Sequence, residues 1–292
     1  RQYSDCKLHV FMGDQRVRLE VLARVPACEN GGKDATGEPV VIVFPWAGGN
    51  LAHPAVRSLA KALAKRGAAT LGVSLPGRLA RASEPAFRSF QELIPQVAQV
   101  LRGHFAQQRR APSSIVFFGY SLGCQVAWQV LESLGDFTAA PIKLVMAAAR
   151  APQNMAENLP KVHDMSDAAF LDYISAKGGT PKEVLSHPSF RALIIPPLRA
   201  DYELLGTFRL DNRTLPKFDS SVTLQVLHGD DLQPSEVEPW QSLLASPEIS
   251  WLGVDFFPEG GHFFLFTNVD RVADILARTS SVPSTNGSLH KA

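Results

Sequence analysis

Cysteine is scarce: Cys6, Cys28 and Cys124 are the only three in 292 residues. An odd number, far apart and with no C-x-x-C pair, speaks against a disulfide framework and against a structural zinc site. The expectation is a reducing, intracellular compartment. Long apolar runs are missing as well. None reaches the roughly 18 residues that a spanning helix needs, which excludes a helical membrane protein. Neither sign of charge prevails, with 29 Lys plus Arg against 28 Asp plus Glu and a net charge of +1. Nothing therefore draws the chain strongly to nucleic acid or to an anionic membrane surface. No internal repeat is visible. Arg1 is neither an initiator Met nor the start of a charged-then-apolar leader, so a processed start, a fragment or a domain of something longer is expected.

What remains is ordinary globular composition, 45% hydrophobic and 20% charged, too apolar for a disordered chain. The length suits one large domain, with or without an insertion. Short β-branched and aromatic runs alternate with helical stretches. Strands are expected at 40–44, 69–73, 115–118 and 142–147. Helices are expected at 54–66, with Pro54 in the first turn, at 90–105 despite Pro95, and at 122–134, closed near Gly135. Such alternation implies a parallel sheet with helices on both faces. After Arg150 the rhythm changes. Residues 152–216 carry helical patterns only: an amphipathic stretch over 167–176, and a second over 189–208 interrupted by Pro196-Pro197. The sheet resumes at 222–227, with a last strand at 254–257 and a last helix at 269–278. A helical block set into a sheet domain is a common way to build a lid, here over about 150–215. Residues 1–39 read as an N-terminal extension, with a hairpin over 8–25 around Met12-Gly13-Asp14 and a Gly-rich loop from Glu29 to Glu38. Residues 281–292 (SVPSTNGSLHKA) read as a disordered tail.

The strongest chemical signal is Gly119-Tyr120-Ser121-Leu122-Gly123. It fits G-x-S-x-G, a pattern that also arises by chance, but here a strand leads in and a helix leads out. A sharp strand-to-helix turn would strain the serine backbone and raise its hydroxyl above the sheet, at the positive end of the helix. A serine is a weak nucleophile until a base removes its proton. Of eight histidines, His262, on the Gly-rich loop after the last strand, has the place in chain order that such a base needs. His9, His104, His163, His187 and His290 look peripheral, His53 sits near the first core strand, and His228 ends a strand. The acid should lie between serine and base, just past a late strand. Asp230 and Asp231 both qualify; Asp231 is preferred and Asp230 is kept as the alternative. Asp201 and Asp255 are weaker rivals. A metal site at His228, Asp230 and Asp231 lacks a fourth ligand, and no cofactor is called for. A tetrahedral intermediate needs two donors. The N–H of Leu122 would be one, and the N–H of Trp46 or Ala47, in the loop Phe44-Pro45-Trp46-Ala47-Gly48-Gly49, the other.

These residues resemble the type II thioesterases of the α/β-hydrolase superfamily, the stand-alone editing enzymes of polyketide and nonribosomal peptide synthesis together with the medium-chain fatty acid synthase thioesterase. The resemblance covers residues 40–280 and rests on five ordered segments. Three are Phe44–Gly49, Leu75-Pro76-Gly77-Arg78 with Arg81 and Glu84, and Phe118–Gly123. The fourth is Gly178-Gly179-Thr180-Pro181 with Pro197-Leu198-Arg199-Ala200-Asp201-Tyr202, and the fifth is Gly260–Phe264. It implies an α/β-hydrolase fold, a mostly parallel central sheet with flanking helices and a helical lid insertion. It implies hydrolysis of acyl groups from the phosphopantetheine arm of an acyl carrier protein, with acyl-CoA as a further candidate substrate and a monomer as the default state. Ser121, His262 and an acid in Gly229-Asp230-Asp231 would form the triad. The family pattern spaces its two acids as Gly-Asp-x-Asp with the second catalytic, whereas here they are adjacent. Arg78, Arg81 and Glu84 are expected to form one structural ion-pair network at the substrate entrance, with contact to the phosphopantetheine phosphate as the sharper alternative. Arg199 and Asp201 are expected to be structural, and Cys124 to be packed core. Rival readings are an acyl-CoA thioesterase or carboxylesterase of the same fold, a releasing or cyclising domain cut from a megasynthase, and a catalytically silent binding module.

Overall fold

In the computed structural model, residues 16–25, 37–151, 159, 161–177, 187–209, 221–242 and 249–278 are described. The apolar runs become strands: β1 (Arg18–Ala23), β2 (Val40–Phe44), β3 (Ala69–Ser74), β4 (Ile115–Tyr120), β5 (Ile142–Ala147), β6 (Val222–Gly229) and β7 (Ile249–Phe257). They form one sheet in the order β1-β3-β2-β4-β5-β6-β7. Every pairing is parallel except that of β1, which lies antiparallel to β3 at one edge. β4 and β5 are buried throughout, and apolar but for Lys143 and the Tyr120 hydroxyl, because helices cover both of their faces, as parallel strands require.

Successive side chains alternate between the two faces. Ile42, Phe44, Phe117 and Leu144 share one core cluster with residues of α2 (Phe90–Ala106) and α3 (Leu122–Leu134). Val41, Val43, Val116, Phe118 and Val145 share the other with α1 (Pro54–Lys65) and the last helix, α6 (Val269–Ala277). Between β5 and β6 the chain adds α4 (Asp167–Lys177) and α5 (Pro188–Gly206). These carry a small core of their own, in which Phe170, Leu171 and Ile174 meet Ile195 and Leu198.

Three expectations need correction. Pro196-Pro197 does not interrupt its helix, since α5 runs through both prolines. They remove the donors that would reach the carbonyls of Ala192 and Leu193. The turns on either side are held by the burial of Ile195 and Leu198. The last strand begins at Ile249, five residues before the expected start, because a register shift beside Gly253 (φ +106°) breaks the alternation that would have revealed it. Third, residues 18–23 do not stand apart as an extension: β1 is an edge strand of the main sheet, with Val17 and Leu19 buried in the core, while the other arm of the expected hairpin lies outside the described residues. The Met12-Gly13-Asp14 turn, most of the Glu29–Glu38 loop, Gly178-Gly179-Thr180-Pro181 and the 281–292 tail lie outside the described residues. Among the described residues, no helix is long and apolar enough to cross a membrane.

One buried charge gives a stability prediction. Lys143, on β5, is 5% exposed and its Nζ donates to the carbonyl of Ile275 at 2.7 Å. Burial lowers its pKa to about 8. Between that value and the ordinary lysine range the unfolded chain holds a proton that the folded chain does not, so stability rises with pH across this window. Lys143→Met is expected to be more stable than the parent by about 2 kcal/mol at pH 7, and to lose that advantage by pH 10. Urea unfolding of both proteins at the two pH values checks this.

Candidate active site

The site grows from the point where β4 hands over to α3. Tyr120 ends the strand and Leu122 opens the helix, so Ser121 makes the turn alone, at φ +52° and ψ −118°. A non-glycine residue at positive φ is strained and persists only where its surroundings hold it. Both motif glycines are explained by contact. A Cβ at Gly119 would lie 2.6 Å from the Cα of Cys124, and one at Gly123 would lie 1.9 Å from the carbonyl oxygen of Phe44. The elbow thus packs backbone to backbone against the end of β2. As the N-cap of α3, Ser121 stands where first-turn N–H groups lack intrahelical partners.

The histidine arrives on a short helical turn, Gly261–Phe266, after β7. Its Nε2 is 3.2 Å from the Ser121 hydroxyl oxygen, and its Nδ1 is 3.0 Å from Asp231 Oδ2. Nδ1–H donates to the carboxylate, which leaves Nε2 as the acceptor facing the serine. Asp230 points elsewhere and accepts from the backbone N–H of Gly261 at 2.7 Å. A Cβ at Gly229 would lie 2.1 Å from the Gly261 carbonyl oxygen, so the acid loop and the histidine loop touch. The chain therefore brings Ser121, His262 and Asp231 together, and puts Asp230 one hydrogen bond behind them.

The remaining candidates lie apart from this cluster. Asp255 accepts from Gln225 Nε2 at 2.6 Å on the sheet. His53 caps α1 by accepting from the Ala55 N–H at 3.3 Å and lies against Phe266. His228 is buried, with Nδ1 3.0 Å from the Gly229 carbonyl. His163 and His187 are exposed, and His104, on α2, contacts Gln108 just past the end of that helix. His9 and His290 lie outside the described residues. Cys124 is fully buried, its thiol donating to the Gly119 and Ala147 carbonyls at 3.2 and 3.3 Å, and burial raises its pKa. Among the described residues, no three His, Cys, Asp or Glu side chains gather as a metal site.

Trp46 and Ala47 follow β2, whose Phe44 is in register with Gly119 of β4, so their loop lies beside the elbow. A tight turn, closed by the Gly49 N–H to the Trp46 carbonyl at 2.8 Å, shapes it. Gly48 holds the left-handed position of that turn at φ +70°. The Trp46 ring packs edge-on against Tyr120 at 5.6 Å and Phe263 at 6.0 Å.

Two further residues reach this site in roles that the sequence does not suggest; one of them, Asp201, is the weaker rival acid, and it does not face His262. The Tyr120 hydroxyl donates to the His262 carbonyl at 2.7 Å and accepts from the Leu265 N–H at 3.4 Å, tying the histidine loop to the strand that precedes the serine. Burial raises the pKa of Tyr120 and keeps that donor protonated. Its only sequence signal is a hydroxyl-bearing aromatic at the first variable place of G-x-S-x-G. The second is Asp201 of α5, 2% exposed, which accepts from the Gly48 N–H at 2.6 Å and pairs with Arg78. The single network expected of Arg78, Arg81 and Glu84 is therefore two. Arg81 Nε donates to Glu84 at 2.9 Å, with Arg18 also on Glu84, while Arg78 turns to Asp201 and to the Pro76 carbonyl. Arg199 binds within the insert, to Asp167 and to the Val162 and Met165 carbonyls.

The thioesterase-domain family matches residues 39–279. Thioesterase PikA5 of Streptomyces venezuelae is 28% identical over 236 residues, 77% of this chain and 75% of its own. The human medium-chain S-acyl fatty acid synthase thioesterase is 27% identical, covering 77% and 80%. Among solved structures, the type II thioesterase BorB from the borrelidin biosynthetic cluster superposes with a TM-score of 0.66 at 24% identity, over 89% of this chain and 96% of BorB. The family match spans β2 to β7, the serine elbow and the histidine loop alike, and the chain belongs to the thioesterase-domain family, with the α/β-hydrolase fold of the type II thioesterases.

Proposed function

We propose that this protein hydrolyses acyl thioesters held on the phosphopantetheine arm of an acyl or peptidyl carrier protein, with Ser121 as nucleophile, His262 as base and Asp231 as the acid that orients it. The observation that carries the reading is the unbroken hydrogen-bonded line Asp231–His262–Ser121, at 3.0 and 3.2 Å. His262 Nε2 takes the serine proton as Oγ attacks the thioester carbonyl carbon, and Asp231 stabilises the imidazolium that results. The oxyanion is met by the Leu122 N–H and by the N–H of Trp46 or Ala47. The Gly48 N–H already serves Asp201. The C–S bond breaks, the imidazolium gives its proton to the departing thiolate, and an acyl-serine remains. His262 then deprotonates water, which attacks the ester and frees the acid and the serine. No step calls for a metal or an organic cofactor. The insert carrying α4 and α5 serves as the lid over the acyl group.

The choice of a carrier-bound substrate draws on the human relative, named for fatty acid synthase, and on BorB, a type II thioesterase from a biosynthetic cluster. Release of free acid from a series of acyl-carrier thioesters, from acetyl to palmitoyl, beside the matching acyl-CoAs tests it. Higher kcat/KM on the carrier is the expected result, with a preferred chain length. Equal or faster turnover of the CoA esters, or good turnover of oxygen esters alone, would overturn the carrier assignment and leave a hydrolase of other substrates.

A further inference from the structure

α5 touches the loop after β2 at the turn beside Ser121. Leu198 and Asp201, three residues apart, lie on one face of the helix. Leu198 packs so closely on Gly48 that a Cβ there would lie 2.6 Å from its Cδ2. Asp201 Oδ2 accepts the Gly48 N–H at 2.6 Å. The carboxylate is 2% exposed and is held from the other side by the guanidinium of Arg78, itself 9% exposed and anchored on the Pro76 carbonyl at 2.8 Å. A buried ion pair is a poor source of net stability, and apolar residues of similar volume commonly replace one at little cost. What such a pair does well is hold one geometry. Here it fixes the direction of a peptide group in the turn Trp46–Gly49, whose neighbouring N–H groups, of Trp46 and Ala47, are those proposed above for the oxyanion.

We propose that Asp201 is a positioning residue: it fixes the oxyanion turn through the Gly48 N–H, so that the turn is correctly set only while the helical insert is seated on it. This rests on the serine-hydrolase reading above. By taking the Gly48 donor, the carboxylate sets the peptide planes on either side and leaves the Trp46 and Ala47 donors to the intermediate. Seating of the insert and readiness of the oxyanion hole become one event, and an acyl chain that keeps the insert lifted would be turned over slowly.

Two variants separate this from a structural role. Asp201→Asn keeps an oxygen that can accept the Gly48 N–H but leaves Arg78 unpaired, so it should lose stability and keep kcat within a few-fold. The pair Asp201→Leu with Arg78→Met leaves no orphaned charge but removes the acceptor. It should keep its Tm and lose kcat by about 10- to 100-fold at unchanged KM, short of the full loss of an oxyanion donor. Affinity for a trifluoromethyl-ketone thioester analogue, whose adduct carries the oxyanion, should fall in parallel. Activity that follows Tm across the two variants, or a double variant with the parent's kcat, would overturn the proposal, as would a change confined to KM. Should the double variant fail to fold, Asp201→Asn decides alone: a kcat loss of 10-fold or more while folded rejects the acceptor role. A parent with no hydrolase activity would instead sink the reading on which this rests, and this proposal with it.

Discussion

Ser121→Ala should lower kcat on a preferred thioester by about 10^6-fold, the scale seen when the nucleophile of a serine hydrolase is removed. Tm should stay within a degree or two of the parent. Both halves follow from the elbow. The reaction as proposed forms a bond to the serine oxygen, and the neighbouring thiol of Cys124, buried and bonded to two carbonyls, cannot take its place. The fold, by contrast, uses the serine mainly for its backbone, at φ +52°, between two glycines whose lack of side chains admits Cys124 and Phe44. Alanine has the same Cβ and the same dihedral preferences, so the strain is unchanged. The hydrogen bond that is lost joins a partly exposed hydroxyl to a side chain that is 20% exposed, and such bonds add about 1 kcal/mol or less. Stopped assays on the purified variant, with an active-site serine probe that labels the parent and not the variant, give the result. A variant that hydrolyses at the parent's rate would remove Ser121 from the mechanism. A variant that is inactive because it is unfolded would show that the elbow needs the hydroxyl for structure.

The parts of this site that the sequence made legible are those built from neighbours in the chain. β4, the elbow and α3 form one continuous segment, and its strand, glycines and helix can be read in order. Pro54 in the first turn of α1 and Gly135 at the end of α3 are local signals of the same kind. What could not be read depends on contacts across long stretches of chain. Tyr120 meets the carbonyl of His262, 142 positions away, and Asp201 meets Gly48, 153 positions away. Nothing near either residue announces its partner. Closeness in sequence groups Arg78 with Arg81 and Glu84, but the loop after β3 points its two arginines in different directions. The prolines of α5 mislead for a related reason: their local cost is real, and tertiary packing outweighs it. The start of β7 stayed hidden because an irregular pairing at Gly253 breaks the period-two pattern.

The adjacent aspartates allow the sharpest separation of roles. Asp231→Asn should lower kcat by about 10^4-fold, while Asp230→Asn should stay within a few-fold of the parent. The two differ by one position in the chain and by one bond in the site. Asp231 faces His262 Nδ1, and asparagine there can present an N–H to that nitrogen. The imidazole would then carry its proton on Nε2, turned toward the serine hydroxyl it should deprotonate, and the imidazolium of the transition state would lose its counter-charge. Asp230 accepts a backbone N–H from Gly261, a task an asparagine oxygen performs nearly as well. Asp230→Ala goes further. It leaves the Gly261 N–H without its acceptor and loosens the loop that carries His262, so a loss of about tenfold with little change in KM is expected, given how steeply rates fall with misplacement of catalytic groups. The serine probe sharpens the contrast. Asp231→Asn should label very slowly, because its base is in the wrong tautomer, and Asp230→Asn at nearly the parent's rate. If the two asparagine variants exchange behaviour, the acid is Asp230 and the histidine loop must shift during turnover to reach it. If both variants keep full activity, His262 is not held by a carboxylate in the reaction, and the base itself has to be sought elsewhere on the rim of the elbow.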